Sequence, residues 1–326
     1  MQVPLAYYVH DLNPIIFQVT DSIALRWYGL SYVAAFFVGW WILRMLIRWD
    51  YFALPEEKLT DFVTYAALFG VLLGGRLGYM LLYDTENFLK NPLMFFQFTK
   101  GGMASHGGIA GLAIFLLVYA RLHKMSWTAL GDNLVVTAPL GIFFGRMANF
   151  INGELYGRKA EVPWAVQFPT ELRENNLDPD VHREILFRST EGIDTSGMDN
   201  SQVIETVIAA SRDEGPVREI MAELLSPRHP SQVYQGLMEG LSLFLILLVV
   251  RLLWKRAPNG FLTGIFFGGY AIFRILGERF REAESGFGPG IFDFLTKGQF
   301  YSLFMIIAAA GFFLWAGIAR KTDSKS

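Results

Sequence analysis

The richest run of side chains able to do chemistry is Gly145-Arg146-Met147-Ala148-Asn149-Phe150-Ile151-Asn152-Gly153-Glu154-Leu155-Tyr156-Gly157. On a helix Arg146 and Asn149 stand three apart and share a face. A guanidinium there donates two parallel hydrogen bonds to a phosphate, while Asn149, Asn152 and Glu154 suit hydroxyls. Gly145 and Ala148 are small enough for another helix or a lipid headgroup to come close. A snorkelling arginine above an Asn/Gly helix end would explain one of these polar residues. It does not explain four in one short segment.

A second cluster is Gly101-Gly102-Met103-Ala104-Ser105-His106-Gly107-Gly108. Its glycines permit tight turns and close ligand approach, and they set a single imidazole near the membrane surface. Imidazole exchanges protons near neutral pH, so His106 is a candidate acid or base. A lone histidine is more often structural; the glycine setting favours function for His106, and His10, His123 and His182 lack that setting. A third cluster is Tyr270, Arg274, Glu278 and Arg281, whose spacing predicts one helical stripe. Such a stripe can bind a phosphodiester with Glu278 steadying an arginine, or it can be an internal ion-pair network that serves packing. Arg26-Trp27-Tyr28-Gly29 at the start of the first span, Arg76 within the second and His229-Pro230-Ser231-Gln232-Val233-Tyr234 entering the fifth add polar or aromatic groups, and the aromatics also suit interfacial belts.

The elements that must carry these groups are membrane helices. Of 326 residues 52% are hydrophobic and 18% charged, too apolar for an ordinary soluble domain. Apolar runs near 24–47, 62–83, 107–120, 128–150, 231–254, 260–277 and 299–319 approach the ~20 residues that cross a hydrocarbon core of roughly 30 Å. The expected fold is therefore an all-α polytopic membrane protein of about seven transmembrane helices. Residues 1–151 would hold the first four with an arm at 84–105, residues 152–230 a small mixed head, and residues 231–326 the last three. Arg44, Arg48, Arg121, Lys124, Arg251, Lys255, Arg256, Arg320, Lys321 and Lys325 gather at alternate span ends, which puts the amino terminus and the head outside and the carboxyl terminus inside. The first basic residue is Arg26, after a polar stretch, so a cleaved signal peptide is not expected.

Composition also excludes. A net charge of -2 gives no field for nucleic acid, and with 0 cysteines the chain offers no thiolate, so any reacting thiol belongs to a substrate. No phosphate-cradling glycine loop, HExxH or GxSxG is present, so no cofactor, nucleotide or metal is expected. Arginines at Arg76, Arg146 and Arg274 inside apolar segments, read as lacking matching carboxylates, point to an anionic ligand, because a cation near the bilayer centre costs roughly 2.5 kcal/mol or more. A phospholipid headgroup fits.

The segment Gly145 to Gly157 resembles the signature of the bacterial prolipoprotein diacylglyceryl transferases. Matches at Arg26 to Gly29, Gly101 to Gly108, His229 to Tyr234 and Tyr270 to Arg281 follow in the same order and cover most of the membrane portion. The resemblance implies an enzyme of the bacterial inner membrane that moves the diacylglyceryl group of phosphatidylglycerol onto the lipobox cysteine of a prolipoprotein signal peptide. It implies a thioether product and release of glycerol phosphate. Arg146 and Arg274 would clamp the phosphate and His106 would be the base. Tyr28, Asn149, Asn152, Glu154, Gly157, Tyr270, Glu278 and Arg281 would bind or orient substrate. Two departures stand out: Gln235 occupies a place where the family carries an acid and is given no role, and the head from about Glu171 to Leu225 is longer than usual. The rival function is a transporter or lipid flippase binding an anion through the same arginines. Inverted repeats would favour it, and none is visible.

Overall fold

The computed structural model describes residues 7–20, 23–97, 102–174, 177–282 and 297–323. Among them five helices are long and apolar enough to cross a membrane: Trp27–Arg48, Glu56–Leu82, Trp127–Asn152, Ser231–Leu253 and Gly298–Ile318. Two shorter apolar helices, Gly107–His123 and Phe261–Gly277, stand where the sequence suggests further spans. Two of the long helices each contain a wider, π-type stretch, at Ala66–Leu72 and at Gly236–Ser242. The chain divides into two compact units, one of residues 1–35, 139–243 and 269–306, the other of residues 36–138, 244–268 and 307–326.

In the second unit a seam of glycines joins two helices. Gly70, Gly74 and Gly78 recur every four residues on one, and Gly107 and Gly111 face them on the other. A Cβ on Gly74 would stand 2.6 Å from the Gly107 carbonyl oxygen, so backbone meets backbone with no room for side chains. Gly107 thus serves helix packing inside Ser105–His123, where the sequence had suggested a ligand loop. His106 lies in the first turn of that helix, and its side chain is outside the described residues, as is Gly101. Arg76 is buried and donates to the carbonyl oxygens of Phe95, Gly102, Met94 and Gln97 at 2.7–3.1 Å. Its charge is met by the peptide dipoles of these four residues, which corrects the reading of Arg76 as a ligand-seeking cation. Asp132 similarly accepts from the Gly260 and Thr263 amides and the Thr263 hydroxyl, each at 2.7–2.8 Å, and so caps the start of Phe261–Gly277 from another helix.

The first unit contains the head. Two short strands pair in parallel, Tyr8–Val9 with Val166–Gln167. Three helices follow, Pro179–Ser189, Asn200–Ala210 and Pro216–Leu224. Asp178 caps the first, an Asp199/Gln202 capping box starts the second, and proline opens the first and third. Their apolar faces close over Val9, Leu172, Ile185, Val207, Ile208 and Met221. A hairpin of Ile15–Thr20 and Ile23–Arg26 leads into the first long helix. His10 is buried between Phe150 and Phe168, ring centroids 5.4 and 5.3 Å away, and burial holds its pKa below the usual histidine range.

Candidate active site

The signature helix Trp127–Asn152 ends in a left-handed glycine. Gly153 has φ +67°, its amide donates to Phe150 and the Glu154 amide reaches back to Asn149 at 3.0 Å, a Schellman turn. The turn folds Glu154 back over the helix end, where its Oε1 accepts from Asn149 at 2.7 Å and Asn152 at 3.2 Å. The carboxylate therefore orients both amides. The His229–Tyr234 segment holds the turn from behind, with Gln232 donating to the Glu154 carbonyl at 2.7 Å and Ser231 to that of Leu155 at 2.8 Å. Gly157 donates to the His229 carbonyl at 2.9 Å and bridges to Arg281. A Cβ there would run into the His229 and Phe280 carbonyls, so its role is backbone approach.

Inside the unit a charged cluster gathers on Glu239, which is 0% exposed. Its Oε2 is 3.5 Å from Arg146 Nη2 and its Oε1 is 3.8 Å from Arg274 Nη1. Arg274 Nη2 also pairs with Glu278 at 2.7 Å, and Arg281 stands 3.9 Å from the same carboxylate. Small residues make the convergence possible. Gly236 and Gly240 let their helix lie against Phe143–Met147, and Gly269 admits Leu243. Gly298, at the start of the last helix, packs onto the Arg274–Glu278 pair. Gly145, expected to admit another helix or a lipid headgroup, faces open space among the described residues. Tyr270 lies within electrostatic range of Glu239 and of Arg146, Arg274 and Arg281, and Tyr28 within range of Glu154 and Arg146. Tyr28 also accepts a hydrogen bond from Tyr32 at 3.2 Å.

Arg146, Arg274, Glu278, Arg281, Tyr270, Tyr28, Asn149, Asn152 and Glu154 thus share one unit, whereas His106 belongs to the other. Two expectations need correction. Arg146 and Arg274 have a matching carboxylate, Glu239, which the sequence reading passed over. Its signal was an acid in the middle of a 23-residue apolar helix. The Tyr270–Arg281 stripe is also not one helix, because Phe261–Gly277 ends before Glu278 and the bridge to Gly157 places Arg281. Gln235, one turn before Glu239, is buried against Gly277.

Three guanidinium and two carboxylate groups leave the cluster with one net positive charge when all are ionised. Neither oxygen of Glu239 nor Nη1 of Arg274 makes a hydrogen bond among the described residues. Buried polar atoms are seldom left so. A ligand that brings an anionic oxygen to Arg274 Nη1 and a hydroxyl donor to the Glu239 oxygens would satisfy these atoms. A multi-helix apolar protein with such a charged cluster among its helices defines the class of a polytopic membrane protein with a polar interior site.

Comparison with known proteins gives the family. The family model of prolipoprotein diacylglyceryl transferase matches residues 14–315. A protein of Allorhizobium ampelinum named phosphatidylglycerol–prolipoprotein diacylglyceryl transferase is 36% identical over 313 residues, covering 94% of this chain and 89% of its own length. Proteins of the same name from Bdellovibrio bacteriovorus and Rhodospirillum centenum are 36% and 38% identical, covering 92% and 91% of this chain and 91% and 88% of their own. The chain belongs to the prolipoprotein diacylglyceryl transferase family and is a transferase.

Proposed function

We propose that this chain transfers the diacylglyceryl group of phosphatidylglycerol to the lipobox cysteine thiol of prolipoproteins. The observation that carries the reading is the cluster of two half-buried arginines, Arg146 and Arg274, on buried Glu239, which has one net positive charge when all three are ionised and leaves Arg274 Nη1 without an acceptor and the Glu239 oxygens without donors among the described residues. The relatives' names supply the two substrates. The lipobox sulfur attacks the glyceryl CH2 that bears the phosphate ester. The C–S bond forms as the C–O bond breaks, the electron pair leaves on the phosphate oxygen, and glycerol phosphate departs.

Two demands follow. The leaving phosphate gains charge, and guanidinium donors fixed in a dry site stabilise it without reorganising. Arg146 and Arg274 take this part, with Arg281 at the rim and Glu239 and Glu278 holding the forks apart. Second, a free thiol with pKa near 8.5 must lose its proton, for which His106 is the base. Asn149, Asn152 and Glu154 bind the glycerol hydroxyls, Tyr28 and Tyr270 orient headgroup and peptide, and Gly157 gives the turn its clearance.

The protein sits in the inner membrane with seven spans, counting Gly107–His123 and Phe261–Gly277. The 152–230 head and the amino terminus face the periplasm and the carboxyl terminus the cytoplasm. Single cysteines introduced into this cysteine-free chain test that orientation: labelling of head positions only from the cytoplasmic side would overturn it. The activity test uses purified protein in nanodiscs containing phosphatidylglycerol and a lipobox peptide. The expected result is a peptide gaining the mass of diacylglycerol less water, absent when the cysteine is serine. No mass gain would refute the reading.

A further inference from the structure

Apart from the charged cluster stands a second ion pair that the mechanism does not use. Arg228 is 2% exposed and Glu171 1%, and they meet as a two-pronged pair at 2.7 and 2.8 Å. The remaining arm of Arg228 donates to the Gly157 carbonyl at 3.2 Å and to the Glu282 carboxylate, and its guanidinium lies 4.9 Å over the Tyr156 ring. One side chain therefore touches three segments: the end of the signature, the residue after Arg281, and the first turn of the head, Pro169–Arg173. The backbone follows the same pattern. Arg228 exchanges amide–carbonyl bonds with Val166, the Gly157 amide donates to the His229 carbonyl while the His229 amide donates to that of Arg158, and the Arg158 amide and Nε reach the carbonyls of Phe280 and Arg281 at 3.0 and 2.6 Å.

A buried ion pair adds little net stability over well-packed apolar side chains, because desolvating both charges offsets their attraction. What a planar fork with donors in fixed directions supplies is orientation. The group that needs orienting is Arg281. It lies beyond the helix that carries Arg274, and its backbone is set by the bridge to Gly157.

We infer that Arg228, clamped by Glu171, is a positioning residue that aims Arg281 at the lipid phosphate by holding the Gly157 and Glu282 segments in register, and so ties the head to the active site. The inference rests on the proposed reading of Arg281 as a phosphate ligand. Full-length protein in nanodiscs, with transfer measured against phosphatidylglycerol content, tests it. Arg228→Lys keeps the charge and loses the fork. It should raise KM for the lipid about tenfold, the scale of one lost charged hydrogen bond, and change kcat by less than about threefold. Arg281→Lys should do the same, and the double variant should be no worse than the poorer single, because both changes act on one contact. A fall in kcat at unchanged KM, or multiplying effects, would overturn the inference. Glu171→Gln is the gentler variant should Arg228→Lys fold poorly, with the same direction and a smaller shift expected. Hydrogen exchange separates this inference from the function itself: in Arg228→Lys the Gly157 and Arg158 amides should exchange at least about tenfold faster while Trp127–Asn152 stays protected. Unchanged exchange sinks the positioning role, whereas a wild-type protein that transfers nothing sinks the proposed function instead.

Discussion

Glu239→Gln separates a site built to receive an anion from a network that is complete by itself. The substitution keeps shape and removes one charge, taking the cluster from one net positive charge to two. At 3.5 and 3.8 Å, with an effective dielectric of about 20, each Glu239–arginine attraction is worth about 4 to 5 kcal/mol before desolvation is subtracted. Removing one partner of a buried pair typically costs about 3 to 5 kcal/mol, since the other charge stays buried and unpaired. The lipid-free variant should therefore melt several degrees below wild type. A phosphate between the arginines restores the lost attraction, so phosphatidylglycerol should stabilise the variant more than wild type. If about half of a 3 kcal/mol loss is recovered, the lipid binds roughly tenfold tighter. Thermal melts in detergent with phosphatidylglycerol or phosphatidylcholine give both quantities. Equal stabilisation of variant and wild type by phosphatidylglycerol would refute the reasoning, because the lipid phosphate would then not meet these arginines.

Arg146→Lys and Arg274→Lys should each lower transfer by about 10² or more, the scale of losing one preorganised donor to a developing oxyanion; near-wild-type turnover in either would remove that residue from the clamp. His106→Gln should cost about 10² to 10⁴ in rate at saturating lipid if imidazole takes the thiol proton, and a change confined to KM would make it a binding residue. Gly107→Val drives a branched side chain into Gly74 and Gly78 of the facing helix, so a loss of about 3 kcal/mol or more is expected on melting; an unchanged melt would deny the seam. In the unfolded chain His10 takes up a proton near pH 6.5, in the folded head only at lower pH. The unfolded state thus binds more protons in that window, and stability should fall as pH drops below about 6.5. His10→Asn should flatten that slope, measured by melts between pH 5 and 7.

The sequence disclosed the polar groups wherever they interrupted an apolar helix in numbers. Arg146, Asn149, Asn152 and Glu154 stood out because four such side chains in one turn-rich segment have no packing explanation, and the structure joins Asn149 and Asn152 to the Glu154 carboxylate. Glu239 escaped because a single acid in a long leucine-rich run looks like noise until the helices that face it are known. Arg76 misled for the complementary reason: a buried cation can be met by carbonyl oxygens, which sequence does not display as partners. The glycines before the third apolar segment were ambiguous, since the same residue admits a ligand or a neighbouring helix. Only the Cβ clashes with Gly74 and Gly78 assign Gly107 to the second. The head helices were hidden by mixed composition, although the Asp178 and Asp199 caps mark their starts.

The widened stretch Gly236–Ser242, which contains Glu239, amounts to one residue more than an α-helix needs over that distance. It offsets everything after it by about a third of a turn relative to the Ser231–Gln235 end. The two halves of this helix are therefore phased independently, one end fitted to the Glu154 turn and the middle to the arginines. Deleting a single residue here would leave composition, length and hydropathy almost untouched, yet swing one functional face away from its partners. In a comparison of homologous chains, a one-residue gap at 236–242 would thus signal a rewired site, while a gap of the same size in the head helices would signal little.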